Sequence, residues 1–124
     1  MDDMSMPGFP ASAAAASSRE PVAWRDLREW LQLVEQAGAL MRIKEPVDTD
    51  EELSAITFLA TRREDAKALL FERPIGDKLG ARVLTNMLGS SAQRYALAVG
   101  LDPALPVREM IVATREIMKQ RIAP

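Results

Sequence analysis

The 124-residue chain contains no cysteine and no histidine. Their absence removes disulfides, thiolate nucleophiles, imidazole acid/base chemistry and the two commonest zinc ligands together. Any chemistry would have to run on carboxylates, hydroxyls, Lys, Arg or the single tyrosine, Tyr95. Aromatic residues make up only 5% of the chain, so Leu, Ile, Val and Met must fill most of a core. Neither sign of charge dominates: 16 Lys plus Arg stand against 18 Asp plus Glu, a formal net charge of −2. That balance lacks the basic footprint of a nucleic-acid or anionic-membrane binder. No apolar run approaches the roughly 20 residues of a membrane span. Asp2 and Asp3 directly after Met1 match neither a secretory n-region nor an Arg-rich transit segment. A cytoplasmic protein with no nucleic-acid partner is expected.

What is present reads as one small α+β domain behind a disordered leader. Residues 1–21, with Met6-Pro7-Gly8-Phe9-Pro10 and the Ala/Ser tract 11–18, offer almost no large side chain to bury. From Trp24 the pattern turns regular. Asp26 with Glu29 forms a capping signature, and Leu27, Trp30, Leu31 and Val34 fall at i, i+3, i+4 and i+7, so a helix is predicted that stops at Gly38. Leu40 to Ile43 then reads as a short strand that Pro46 ends. Thr49 with Glu52 predicts a second helix, whose stripe Leu53, Ile56, Leu59 and Ala60 runs to about Arg63.

Ala68 to Phe71 and Arg82 to Thr85 are two strands of one sheet, separated by a turn-rich segment from Pro74. Ser90 with Gln93 caps a third helix that carries Ala92, Tyr95, Ala96 and Val99 on one face and closes at Gly100. A fourth helix follows Asp102-Pro103 and Pro106. Its stripe of Val107, Met110, Ile111, Thr114, Ile117 and Met118 must be covered by something. The expectation is an α+β domain over residues 22–124, a sheet of about three strands with four helices in the order α-β-α-β-β-α-α. Trp30, Phe71 and Tyr95 are its expected buried aromatics. The closing Arg121-Ile122-Ala123-Pro124 reads as cut rather than finished, with no Gly or loop after the periodic segment.

Chemistry is sparse. Asp48, Asp50, Glu51 and Glu52 form the densest carboxylate cluster, but acids in a helix's first turn stabilise its positive end, and the spacing does not fit a calcium loop. Arg62, Arg63 and Lys67 are opposed by Glu64 and Asp65 and read as a solvated helix end. Gly76 and Gly80 lack the Gly-Lys-Ser/Thr ending of a phosphate loop, and no Gly-x-Gly-x-x-Gly occurs. Ser90 and Ser91 have no histidine to activate them. Trp30 is assigned to the core rather than to a stacking platform, and Met110 and Met118 to core filling rather than to a soft interaction surface.

The order of segments resembles a known family. Asp26-Leu27-Arg28-Glu29-Trp30-Leu31, Ala37-Gly38-Ala39-Leu40-Met41-Arg42-Ile43 and Glu45-Pro46-Val47-Asp48 are similar to the N-terminal region of the UbiD-type carboxy-lyases. So are Ala68-Leu69-Leu70-Phe71-Glu72 and the segment from Val83 to Ser90 followed by Arg94, Ala96, Ala98, Gly100 and Leu101. The stretch Thr61 to Lys67 departs from the pattern in having no Gly before the strand.

The resemblance implies a non-oxidative decarboxylase of aromatic or α,β-unsaturated acids that uses prenylated FMN with a divalent metal and potassium. It also implies that the flavin, metal and catalytic Glu-Arg-Glu residues belong to a central domain beyond this segment. No residue here matches those motifs, so no catalytic, cofactor-binding or metal residue is assigned. The chain is expected to be an inactive N-terminal domain, truncated or partial, that docks through the Val107–Met118 helix face on a catalytic domain. The alternative is a stand-alone accessory subunit that docks on a separate catalytic chain. Either way the uncovered stripe should cause self-association or dye binding.

Overall fold

The structure, a computed structural model, describes residues 22–120. The leader expected over residues 1–21 and the closing residues 121–124 lie outside them. Four helices and three strands follow in the expected order: α1 (Leu27–Gln36), β1 (Leu40–Asp48), α2 (Glu52–Thr61), β2 (Ala68–Ile75), β3 (Val83–Thr85), α3 (Ala92–Val99) and α4 (Val107–Lys119). The sheet order is β1-β2-β3; β1 and β2 run parallel across the α2 crossover, and β3 returns antiparallel to β2.

The central strand explains its own sequence. Ala68-Leu69-Leu70-Phe71 is buried at every position, because a strand covered on both faces reads as a continuous apolar run instead of an alternation. Ala68 packs with Trp30, Leu31 and Val34 of α1 on one face, while Leu69 and Phe71 pack with Val47 and Leu53 on the other, beside α2. Each large side chain so buried contributes about 1.5–3 kcal/mol. α3 joins the α1 side, where Leu97 meets the core and its carbonyl accepts the Trp24 indole N–H at 3.0 Å. α4 packs on α3. Arg42 ties the edge of the α1 layer to the sheet, with a two-pronged contact to Glu35 at 2.8 Å and a longer one to Glu72 at 3.3 Å. These pairs hold the Glu35 carboxyl below its usual range and raise the Arg42 guanidinium.

Several sequence expectations are corrected. Pro46 does not end β1. The pairing steps from Ile43↔Phe71 to Pro46↔Arg73, three residues against two, so a bulge absorbs the proline on an edge strand, where its missing N–H costs no ladder bond. β2 likewise continues through Pro74 to Ile75. Thr49 does not cap α2, which starts at Glu52. Instead Glu52 accepts the Asp48 N–H at 2.9 Å and Asp48 accepts the Asp50 N–H at 2.9 Å.

Leu59 is exposed, since it lies roughly a quarter turn from the stripe of Leu53, Ile56 and Ala60. Leu27 is also exposed, at the end of α1 where the helix overhangs an open cleft. Asp26 does cap α1, accepting the Glu29 N–H at 3.0 Å, and Gly38 and Gly100 take the left-handed conformation expected after helices. Residues 61–67 contain no positive-φ position, so the turn there requires no glycine.

Candidate functional site

Two features gather the side chains that could serve a function: the β3–α3 loop and the groove between α3 and α4. The loop is organised from within by Arg94. Arg94 is 1% exposed, and among the described residues it makes no ion pair. Its guanidinium donates to four backbone carbonyls instead: Nε to Met87 at 2.9 Å, Nη1 to Ala66 at 3.0 Å, and Nη2 to Asn86 at 3.2 Å and Gly89 at 2.7 Å. Burial pulls the group below its ordinary pKa, yet a guanidinium keeps its charge under such a shift. The carbonyl dipoles take the place of water around that charge.

The loop pays for this wrapping with two left-handed residues, Asn86 at φ 50° and Ser90 at φ 59°. Asn86 tolerates the conformation and uses its Nδ2 to donate to Lys67 O at 2.9 Å. A Cβ at Gly89 would meet Asn86 Oδ1, whose amide is anchored on Lys67 O, so a side chain there has to displace it. Ser90, in the left-handed region, cannot be the cap of α3. Ser91 is, accepting the Arg94 N–H at 3.1 Å. Arg94 thus clamps the loop to the chain just before β2 and fixes where α3 leaves the sheet.

The groove follows from that placement. Ala92 and Tyr95 of α3 face Val107, Met110, Ile111 and Thr114 of α4 across an almost wholly apolar depression of about 250 Å³. The Tyr95 hydroxyl and Thr114 Oγ1 share a hydrogen bond at 2.9 Å. Met110 is buried, but Val107, Ile111 and Met118 remain exposed, at 59%, 57% and 78%. Only part of the α4 stripe is therefore covered by the described residues. Met118 is not core.

The remaining sequence candidates are dispersed. Asp48 and Glu52 are spent on backbone N–H groups, and among the described residues no group of three or more His, Cys, Asp or Glu could hold a metal ion. Arg63 pairs with Asp65 at 3.1 Å, and Arg62 lies over the exposed Phe58 ring at 5.4 Å. Trp30 and Phe71 are core, while Tyr95 is half-buried. No helix of the described residues is long and apolar enough to cross a membrane. Sequence reasoning missed Arg94. A signal was present, since it directly precedes Tyr95 and Ala96 on a short helix that follows a Gly-Ser-Ser turn, but an arginine there reads as solvent-facing until carbonyls are seen around it.

The chain matches the family model for the 3-octaprenyl-4-hydroxybenzoate carboxy-lyase N-terminal domain over residues 31–114. Among solved structures it is similar to the vanillic acid decarboxylase of Sedimentibacter hydroxybenzoicus. The open form gives 34% identity and a TM-score of 0.63 over 72% of this chain and 18% of that one. The closed form gives 34% identity and a TM-score of 0.64 over 73% and 18%. The chain thus spans under a fifth of the length of those solved chains.

Proposed function

The chain belongs to the UbiD carboxy-lyase family, whose N-terminal domain it matches over more than half its length, and on that premise we propose that it acts as a non-catalytic N-terminal domain. It would pack through the α3–α4 groove on the catalytic part of a decarboxylase of aromatic or α,β-unsaturated acids. The observation that carries this reading is the exposed apolar lining of the groove, Val107 and Ile111 with the neighbouring Met118. A contiguous apolar surface of this kind marks an interaction site.

Prenylated FMN, which the family resemblance implies for the complete enzyme, does not fit the described residues. Of five clefts among the described residues, none exceeds about 330 Å³, the low end of ligand-pocket volumes. The largest cleft lies open beside α1, and the helix N-terminus there is already capped by the Asp26 carboxylate, with Arg28 and Arg82 on its walls. Among the described residues no group of three or more His, Cys, Asp or Glu is placed to hold the implied divalent metal. Cofactor and metal are assigned in this proposal to the remainder of the enzyme.

The test is direct. The 124-residue chain, incubated with prenylated FMN, a divalent cation and vanillate, is expected to release no carbon dioxide and to lose the flavin on gel filtration. Carbon dioxide release, or retention of one flavin per chain, would overturn the reading.

A further inference from the structure

The charges that border the α3–α4 groove go beyond stating that it docks something and specify the kind of surface it takes. Resting on the reading above, we propose that the groove receives an amphipathic helix of the catalytic part, with acidic residues along the flank that meets Arg108 and Arg115.

Val107, Ile111, Thr114 and Met118 are spaced by four, three and four residues and share one stripe of α4. On one side this stripe runs down into the contact with α3, where Met110 is buried and Thr114 bonds Tyr95. On the other side, at 100° per residue, come Arg115, Arg108 and Lys119, then the exposed Val112, before the acids Glu116 and Glu109 on the far face. Lys119 is held by Glu116 at 3.0 Å. Arg108 and Arg115 make no ion pair or side-chain hydrogen bond among the described residues. The solvent-side rim of the groove is therefore basic although the whole chain is slightly acidic.

That asymmetry selects the occupant. A helix laid in an apolar groove is anchored by residues at i, i+3 or i+4, and i+7, and opposite charge along its border adds affinity and orientation. A second copy of α4 packed antiparallel meets the reverse. Two-fold antiparallel pairing along the stripe would bring the Arg108–Arg115 rim of one copy against the same rim of the other, and like charges there disfavour the dimer.

Two designed helical peptides of equal length and identical Leu/Ile stripe, one bordered by Glu and the other by Lys, test this with the full 124-residue chain. Fluorescence anisotropy should show the Glu peptide binding about fivefold more tightly at low salt, as two exposed ion pairs allow. The preference should fade as salt is raised and invert in Arg108→Glu/Arg115→Glu, whose altered side chains are exposed and carry no fold contact. Equal affinities, or a preference that survives the double reversal, would overturn the proposal. So would a wild-type dimer in sedimentation that Ile111→Asp abolishes, which seats a second copy in the groove. Peptide binding only after removal of residues 1–21 would seat the chain's own N-terminal segment there and overturn it equally. None of these outcomes involves turnover, so they leave the non-catalytic reading standing, and carbon dioxide release by the lone chain would refute that reading without altering the peptide preference.

Discussion

Replacing Arg94 by Met tests how the domain is held together where the sheet gives way to its helical side. The substitution keeps the length and apolar stem of the side chain and deletes the charged fork. Two terms oppose each other. Removing a buried charge relieves its desolvation, since burial already lowers the Arg94 pKa. Against that, the carbonyls of Ala66, Asn86, Met87 and Gly89 lose their donor.

The bond to Ala66 is buried and the other three are partly so. Hydrogen bonds to a charged group are worth about 1.5–3 kcal/mol each, and water can replace the donor at the loop carbonyls more readily than at Ala66. One full loss plus partial losses at three sites gives about 3–5 kcal/mol, in line with removing one partner of a buried charged contact. A domain of this size has a total stability of about 5–15 kcal/mol, so Arg94→Met should lower the urea midpoint by about a fifth or more. Tryptophan emission, from Trp24 and Trp30 in and beside the core, reports the transition. Amide exchange in residues 86–90 should accelerate before the global transition. A loss below about 1 kcal/mol with unchanged exchange would show that the carbonyl cage does not hold the loop.

The other expectations are as follows. Gly89→Ala should destabilise by about 1–3 kcal/mol through its clash with Asn86 Oδ1, and much less in an Asn86→Gly background, a coupling that a denaturation double-mutant cycle measures. Trp24→Phe should cost about 1 kcal/mol by leaving Leu97 O without its donor, read as a shift in urea midpoint; no shift would mean that the N-terminal side of α1 is held by packing alone. Glu35 binds a proton less readily folded than unfolded, because Arg42 lowers its pKa, so its contribution is present above the ordinary carboxylate range and lost as pH falls below it. Acid titration of stability should thus be shallower in Glu35→Gln than in the wild type, and parallel curves would remove Glu35 from the account. Ile111→Asp should leave the urea midpoint almost unchanged, given its exposure, while reducing hydrophobic-dye fluorescence.

The element order, the caps at Asp26, Gly38 and Gly100, and the existence of β2 as a strand were legible from residue spacing, because each depends on local periodicity and on backbone conformations that few residues adopt. The strand lengths around Pro46 and Pro74 were not, since a proline is tolerated only where a neighbour strand is missing or a bulge intervenes, and that is known only once the sheet order is. Ser91 rather than Ser90 caps α3 for a comparable reason: Ser90 is left-handed in the loop whose carbonyls at Asn86, Met87 and Gly89 accept from Arg94, and that loop is seen only in the fold.

What the sequence determined by itself was a small α+β domain with an amphipathic last helix, because hydrophobic period and turn chemistry are written residue by residue; its family came from the resemblance of its segments. Tertiary structure alone decided that Arg94 is interior, that α3 covers only one side of the α4 stripe, and that Arg108 and Arg115 border what stays open. Those facts rest on groups distant in sequence meeting in space, and no local pattern encodes which carbonyls will surround a charge or which face a neighbouring helix will leave bare.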